Sequence, residues 1–258
     1  MTIECGAQAP RDRARLRTEI LLVLGVSVGA SAVYAVVQII ARLTAGRPLS
    51  AQSASLNTSA APGRPWLDLT LQLLEIFFAL VPVLLAVHLL GRDHADPLRR
   101  LGLDGRRPAF DAGLGVALAA AIGLPGLGLY FAALALGVNA QVVPAALPAV
   151  WWAVPVLVLA AAQNAILEEV VVVGYLLHRL GDMGWGPRRA VAASALLRAT
   201  YHLYQGFGAF VGNAVMGVVF ALLFLRTRRL GPLVVAHTLL DVVAFVGYAL
   251  LRDRVTWL

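Results

Sequence analysis

Long apolar stretches alternate with short polar segments along almost the whole chain. A run of about 18 or more apolar residues is long enough to cross a bilayer as a helix. The pattern therefore predicts an all-α fold, a polytopic transmembrane helical bundle of about seven spans, of which the fifth is short. The predicted spans are residues 19–41, 66–90, 111–136, 149–177, 190–204, 209–225 and 230–251.

Arginine supplies all 21 basic residues, and most of them lie in the polar segments between the apolar runs. Fifteen lie on the side of the predicted bundle that holds the N-terminus, and cytoplasmic loops carry such an excess. We therefore expect a cytoplasmic N-terminus. Because topology explains the net charge of +7, a nucleic-acid partner is not expected. The exclusive use of arginine is typical of GC-rich bacterial genomes, so we expect a multi-pass protein of the bacterial cytoplasmic membrane.

Composition divides the chain into three parts. Residues 1–18 are predicted to form a basic cytoplasmic tail, and its Cys5, the single cysteine, allows no disulfide within the chain and no cysteine-based metal site. Residues 19–148 are predicted to form the N-terminal transmembrane helices. Within them, residues 42–65 are rich in Ser, Ala, Gly and Pro, which predicts an irregular extracytoplasmic loop. Residues 149–251 carry the candidate chemistry.

Ionisable residues inside the later spans indicate a functional site, because such residues are costly at bilayer depth. Glu168 and Glu169 are adjacent and point about 100° apart around a helix. One of them is therefore predicted to face a cavity and the other a neighbouring helix. His237 and Asp241 are four residues apart and share a helix face. Distances along the helices, at about 1.5 Å per residue, predict one polar layer, which consists of Glu168, His202, His237 and Asp241.

This set of residues fits more than one kind of site. A buried glutamate can act as a general base toward water, and a histidine can hold the water or stabilise an oxyanion, so the set could hydrolyse an amide. The same residues could bind a divalent metal such as zinc, although the chain has no His-Glu-x-x-His motif. A nucleophilic Ser194 lacks the Gly-x-Ser-x-Gly context. Because Glu and His also form proton relays and packing contacts, a transporter and a structural site stay open beside a hydrolase.

Three motifs in residues 149–251 resemble those of the CPBP intramembrane proteases, the family of CAAX proteases and bacteriocin-processing proteins that is also called Abi. The family pattern is Glu-Glu-x-x-x-Arg-Gly, then Phe-x-x-x-His, then His-x-x-x-Asn/Asp. The resemblance implies a membrane-embedded endopeptidase with a cytoplasm-facing cavity. The matching residues of this chain are Glu168, Glu169, Gly174, Leu176, His202, His237 and Asp241.

The resemblance also implies a role for each motif residue. Glu168 would activate the water with Glu169 as the supporting carboxylate, His202 would hold the water, and His237 with Asp241 would stabilise the oxyanion. The implied partners are membrane lipid and a membrane-associated peptide or protein substrate. No cofactor is required in this interpretation, although a divalent metal such as zinc on the same residues is an alternative. A catalytically silent member that acts by binding, for example in immunity, is a further alternative.

The chain departs from the family pattern at two positions. Val173 stands where the motif has arginine, and Arg198 stands where it has phenylalanine. An intramembrane arginine needs a carboxylate partner, so we predict that Arg198 supplies the missing charge and pairs with Glu169. Asp241 stands where prenyl proteases have asparagine. Because an ionised aspartate cannot donate to an oxyanion, Asp241 would have to be protonated, orient His237 or bind a metal.

Overall fold

Helices make up nearly all of the regular structure, which confirms the predicted all-α class. The computed structural model describes residues 10–93 and 95–252 of the 258-residue chain. The α-helices are α1 (Pro10–Gly25), α2 (Val28–Leu43), α3 (Pro65–Ala79), α4 (Val81–Gly91), α5 (Pro97–Arg100), α6 (Pro108–Ala135), α7 (Ala153–Glu168), α8 (Leu176–Asp182), α9 (Pro187–Tyr201), α10 (Phe207–Thr227) and α11 (Gly231–Leu251). A π-helix, Glu169–Tyr175, joins α7 to α8, and 3-10 turns cover Leu49–Ala51 and Leu203–Gln205. The strands are β1 (Ser53–Ser55) and β2 (Gln141–Val143).

Five helical segments of the described chain are long and apolar enough to cross a membrane, and a sixth is added if the bent pair α1–α2 counts as one span. This number falls short of the predicted seven because the fifth predicted span, 190–204, corresponds to α9, which has only 15 residues. A helix of that length extends about 22 Å, less than the hydrocarbon core of about 30 Å.

Local chemistry explains where two of the spans are interrupted. The axes of α1 and α2 differ by 61°, and between them Ser27 donates its hydroxyl to the Val23 carbonyl oxygen at 2.6 Å, where it competes with backbone pairing. Helices α3 and α4 are separated at Leu80, close to Pro82, whose ring lacks the N–H that would continue the helix. Helix α1 already begins at Pro10, so the predicted tail 1–18 is helical from that residue. The rest of the predicted tail, 1–9 with Cys5, lies outside the described residues.

The loop 42–65 is more ordered than its composition predicts. Its strand β1 pairs in parallel with β2, with Ser53 opposite Gln141, and the Asn57 side chain donates to the Pro144 carbonyl oxygen at 2.8 Å. Parallel strands require a long crossover connection, and here helices α3 to α6 provide it. Sequence reasoning missed this sheet because each strand has only three residues.

The connections between helices gather at two opposite faces of the bundle. We call one the sheet face, which contains the loops 44–64, 136–152 and 202–206. A backbone hydrogen bond from Ala140 to Gln205 ties two of these loops together. We call the other the arginine face, which contains the connections 92–107, 183–186 and 228–230. There Leu230 donates to the Leu101 carbonyl oxygen, and Arg179 bridges Glu19, Asp93 and Asp182 at 2.7–3.2 Å.

A second group of ion pairs, around Arg229, fixes the loop between α10 and α11 at the arginine face. Arg229 contacts Asp111 at 2.7 Å and Asp104 at 3.1 Å. The hydrogen bond to Asp111 raises the pKa of Arg229 above its usual range. The arginines that signal topology in the sequence thus also tie separate helices together.

The helix that carries the glutamate pair lies at the centre of the bundle. In the most apolar window of Ala153–Asp182, 61% of the residues are buried, against 28% or less in the other four of the five long apolar segments. Helix α11 packs against both α6 and α7, and α10 packs against α9. Small residues let helices approach closely. Gly123 of α6 is an example, because a Cβ atom added there would lie 2.9 Å from Leu240 of α11. The candidate residues therefore come from the middle of the molecule.

Candidate active site

The glutamate pair lies where the central helix changes its hydrogen-bonding pattern. Glu168 is the last residue of α7, and Glu169 is the first of the π-helix. Such π segments inside α-helices are frequent at functional sites. Ser194 of α9 donates its hydroxyl to the Val172 carbonyl oxygen at 2.8 Å. This buried serine therefore binds the π-helix backbone.

Glu169 and Arg198 form a buried ion pair. The Arg198 Nη2 atom lies 2.6 Å from Glu169 Oε1, and both side chains are fully buried. The contact that the sequence predicted between these two residues is thus present. The guanidinium carbon also lies 5.4 Å from the centre of the Phe220 ring, a distance typical of a cation–π contact. A buried charge pair is costly to break, because either charge alone would stay desolvated.

Glu168 differs from its neighbour in exposure. Its side chain is 13% exposed, whereas that of Glu169 is 0% exposed. The Tyr201 hydroxyl donates to Glu168 Oε2 at 2.6 Å, and Arg198 Nη1 approaches the same oxygen to 3.6 Å. One carboxylate of the pair is thus partly accessible while the other is sealed, as expected for adjacent side chains that point about 100° apart.

Tyr201 is the residue that sequence reasoning missed. It follows Arg198 by three positions on α9 and directly precedes His202, so it shares the helix face of the arginine. That spacing was the available signal. In an apolar segment, however, a tyrosine hydroxyl is readily taken as an interfacial group.

His237 on α11 lies between two carboxylates. Its Nδ1 atom is 2.8 Å from Glu169 Oε1, and its Nε2 atom is 3.8 Å from Asp241 Oδ1. Glu169 Oε1 therefore receives both Arg198 and His237. The distance to Asp241 exceeds that of a hydrogen bond, so His237 Nε2 is not saturated by that contact.

His202 lies at the C-terminal end of α9. Its Nδ1 atom is 3.0 Å from the Arg198 carbonyl oxygen, which can only accept, so Nδ1 carries the proton. In a neutral ring, Nε2 is then the acceptor. The ring packs against Tyr201, with 4.7 Å between ring centres. His202 therefore adjoins the residue that binds Glu168, while its own hydrogen bond fixes the ring.

The motif departure at Val173 leaves an apolar contact in place of a charge. Val173 is fully buried within the main hydrophobic cluster. The next residue, Gly174, is pressed between two side chains, since an added Cβ atom would lie 2.8 Å from both Leu101 and Leu230. The positive charge of this site comes instead from Arg198 on α9.

The candidate residues do not form a metal-ligand set. In residues 10–93 and 95–252, no group of three or more His, Cys, Asp or Glu side chains is placed to hold a metal ion. Two of the candidate oxygens are bonded to protein groups: Glu169 Oε1 to a guanidinium and an imidazole, and Glu168 Oε2 to a phenol. In the described residues the donors are thus not grouped around one point as the ligands of a zinc ion are.

A cavity adjoins the site from the sheet face. It has a volume of about 550 Å³ and extends from Arg42 and Ser55 to Tyr201 and Tyr204. A second cavity, at the arginine face, is lined by Asp93, His178 and several arginines, and none of the candidate residues lines it. The family resemblance implies a cytoplasm-facing cavity, but the cavity that reaches Tyr201 lies on the side with fewer arginines.

One family comparison gives a match. Residues 150–243 match the family model described as type II CAAX prenyl endopeptidase Rce1-like. The matched segment contains every candidate residue from Glu168 to Asp241, and it confirms the resemblance that the three motifs indicate. No curated protein and no solved structure matches the chain.

Proposed function

We propose that this protein is an endopeptidase. The premise is the match of residues 150–243 to the Rce1-like family of CAAX-type intramembrane proteases. Its substrate would be a membrane-associated peptide or protein, and its proposed location is the bacterial cytoplasmic membrane. The observation that carries the proposal is the unequal exposure of the glutamate pair, 13% for Glu168 and 0% for Glu169. A water molecule can reach only the first carboxylate.

Glu168 is the proposed general base. Its carboxylate takes a proton from water as the water oxygen attacks the carbonyl carbon of the scissile amide. The proton then passes to the leaving nitrogen as the C–N bond breaks, so the base is restored. Tyr201 holds one carboxylate oxygen at 2.6 Å, which fixes the direction of the other. A positioned general base contributes roughly 10²- to 10⁴-fold to such a reaction.

The two histidines have separate proposed roles. His202 keeps Nε2 as an acceptor because Nδ1 is bonded to a carbonyl oxygen, so it can orient the attacking water. His237 directs Nδ1 to Glu169, which leaves Nε2 to donate to the oxyanion when that nitrogen carries a proton. Asp241 lies 3.8 Å from the same Nε2, and its proposed role is to orient the ring. This is one of the roles open to an aspartate at this position, beside a protonated donor and a metal ligand.

Glu169 and Arg198 are proposed positioning residues. Glu169 contacts neither cavity nor solvent, and its Oε1 atom joins α9 to α11 through Arg198 and His237. The pair therefore sets the distance between the helices that carry His202 and His237. No step of this mechanism passes through a metal ion.

Mutation of Glu168 tests the proposal. The protein in nanodiscs would be incubated with pooled hydrophobic peptides, prenylated and unmodified, and new termini would be identified by mass spectrometry. We expect Glu168→Gln to reduce cleavage by roughly 10² or more. Glu75→Gln is the matched control, since Glu75 is an exposed glutamate of α3.

The outcomes separate the alternatives. Equal cleavage by Glu168→Gln would remove Glu168 as the base. A wild-type protein that cleaves no peptide, and whose biological effect survives Glu168→Gln, would be a binding or immunity protein. Gradient-dependent substrate flux in liposomes would identify a transporter.

A further inference from the structure

The cavity that reaches Tyr201 has a short β-strand as one wall. Strand β1 contributes Ala54 and Ser55 to the lining, and Arg42, from α2, lies beside them. At the inner end is Tyr201, whose hydroxyl binds Glu168. The cavity therefore leads from the sheet face, past a strand, to the tyrosine that binds Glu168.

Within the described residues, one edge of β1 has no strand partner, although Arg42 binds its Ser53 carbonyl oxygen. Residues of a parallel strand direct their backbone groups alternately to the two sides. Gln141 donates to the Gln52 carbonyl oxygen and Leu56 donates to the Val143 carbonyl oxygen, so residues 52, 54 and 56 bond to β2. The N–H groups of Ser53 and Ser55 and the carbonyl oxygen of Ser55 consequently point away from β2.

Arg42 shows that this free edge adjoins the cavity. Its Nη2 atom donates to the Ser53 carbonyl oxygen at 3.0 Å, a group on the outward side of the strand. Arg42 also lines the cavity. Free backbone donors and acceptors in a row are a template for another extended chain.

We propose that an extended peptide binds in this cavity by adding as a strand to the free edge of β1, so that its chain leads toward Tyr201 and Glu168. The proposal rests on the proposed protease function for its role, but not for its geometry. Main-chain hydrogen bonds to Ser55 give such a peptide affinity that depends little on its sequence. The arginine distribution places the sheet face outside the cytoplasm, so the substrate segment would enter from the extracytoplasmic side.

Chemical protection of a single cysteine tests the docking step without cleavage. Ser55→Cys would be prepared in a Cys5→Ser background and labelled with a membrane-impermeant maleimide in right-side-out vesicles. The probe is a ten-residue peptide of alternating valine and threonine, and its control is the same peptide N-methylated at every amide. We expect the first peptide to slow labelling at least 5-fold and the methylated one to leave it unchanged. Equal protection by both peptides, protection by neither, or labelling only in inverted vesicles would overturn the proposal.

A proline substitution separates docking from catalysis. Ser55→Pro removes an N–H that points away from β2, and proline is tolerated at such an edge. We expect kcat/KM for a cleaved peptide to fall roughly 5-fold for the one lost hydrogen bond, with the unfolding midpoint unchanged. Wild-type kcat/KM in Ser55→Pro would refute strand addition while the protease function stands. Conversely, protection of the Ser55→Cys thiol in a protein that cleaves nothing would support docking and refute the protease.

Discussion

Arg198 and Glu169 are 29 positions apart in the sequence, yet their side chains meet at 2.6 Å with no exposure to solvent. One partner belongs to the π-helix and the other to α9. Glu169 Oε1 also binds His237, so the contact connects three helices. Because this single oxygen holds the site together, substitutions around it should affect stability and activity in different proportions.

Loss of the arginine should destabilise the protein strongly. Arg198→Met removes the charge but keeps most of the side-chain length, and it leaves Glu169 buried without its cation. We expect a loss of about 3–5 kcal/mol in the free energy of unfolding, measured by denaturant titration in mixed micelles. Arg188→Met is the matched control on the same helix, because Arg188 is exposed, and it should change stability by less than about 0.5 kcal/mol.

The double variant Arg198→Met/Glu169→Gln tests whether the pair is the cause. Neutralising the glutamate removes the uncompensated charge, so part of the lost stability should return. If the double variant is no more stable than Arg198→Met, the cost of the arginine substitution arises elsewhere.

Tyr201→Phe should reduce activity more than stability. The substitution removes the hydroxyl that holds Glu168 Oε2 at 2.6 Å, so the general base loses its fixed direction. We expect kcat to fall by roughly 10-fold, the equivalent of a hydrogen bond to a charged group worth about 1.5 kcal/mol.

Tyr175→Phe is the matched control for that experiment. It also removes a hydroxyl donated to a carboxylate, that of Glu19 at 2.9 Å, but at the arginine face. Its kcat per folded molecule should be that of the wild type. A Tyr201→Phe variant that behaves in the same way would assign Tyr201 a structural role only.

Chelators should leave the cleavage rate unchanged. No three His, Cys, Asp or Glu side chains of the described residues are grouped to hold a metal ion, and the proposed mechanism uses none. The measurement is the cleavage rate of the wild type after dialysis against 1,10-phenanthroline, with a zinc protease as the positive control. Loss of cleavage that returns on addition of zinc would contradict the metal-independent mechanism.

Gly217→Ala should weaken the packing of α10 against α9 beside Arg198. An added Cβ atom would lie 2.8 Å from the Ala195 Cα atom and 3.4 Å from the Arg198 Cδ atom. Backbone at that distance cannot yield easily, so we expect a loss of about 1–3 kcal/mol in the free energy of unfolding.

Gly126→Ala is the control, also within a transmembrane helix. Nothing lies within 4 Å of its added Cβ atom, and alanine favours the helix by about 1 kcal/mol over glycine. We expect the free energy of unfolding, measured by the same denaturant titration, to fall in Gly217→Ala and to rise in Gly126→Ala. A destabilised Gly126→Ala would mean that the effect does not depend on the space at each site.

Two signals in the sequence were the most informative: the length of the apolar runs and the free-energy cost of a charged side chain inside the membrane. They indicated the helical class and the contact between Arg198 and Glu169, because a buried charge must find its opposite. They did not indicate Tyr201, since a hydroxyl in an apolar segment has many uses. They also missed β1, because three residues of Ser and Ala carry no strand pattern and only its partner in a distant loop defines it.

The seven residues Glu169–Tyr175 affect how this chain can vary in length. Each hydrogen bond of a π-helix spans one residue more than in an α-helix. Removing a single residue there would let the backbone return to ordinary α-helical pairing, and six α-helical residues turn the chain by nearly the same angle as seven π-helical ones. Leu176–Asp182 would then keep the side that it presents to its neighbours, and Arg179 would stay beside Glu19 and Asp93. A one-residue deletion should therefore disturb α8 less at this point of the chain than the same deletion within α7.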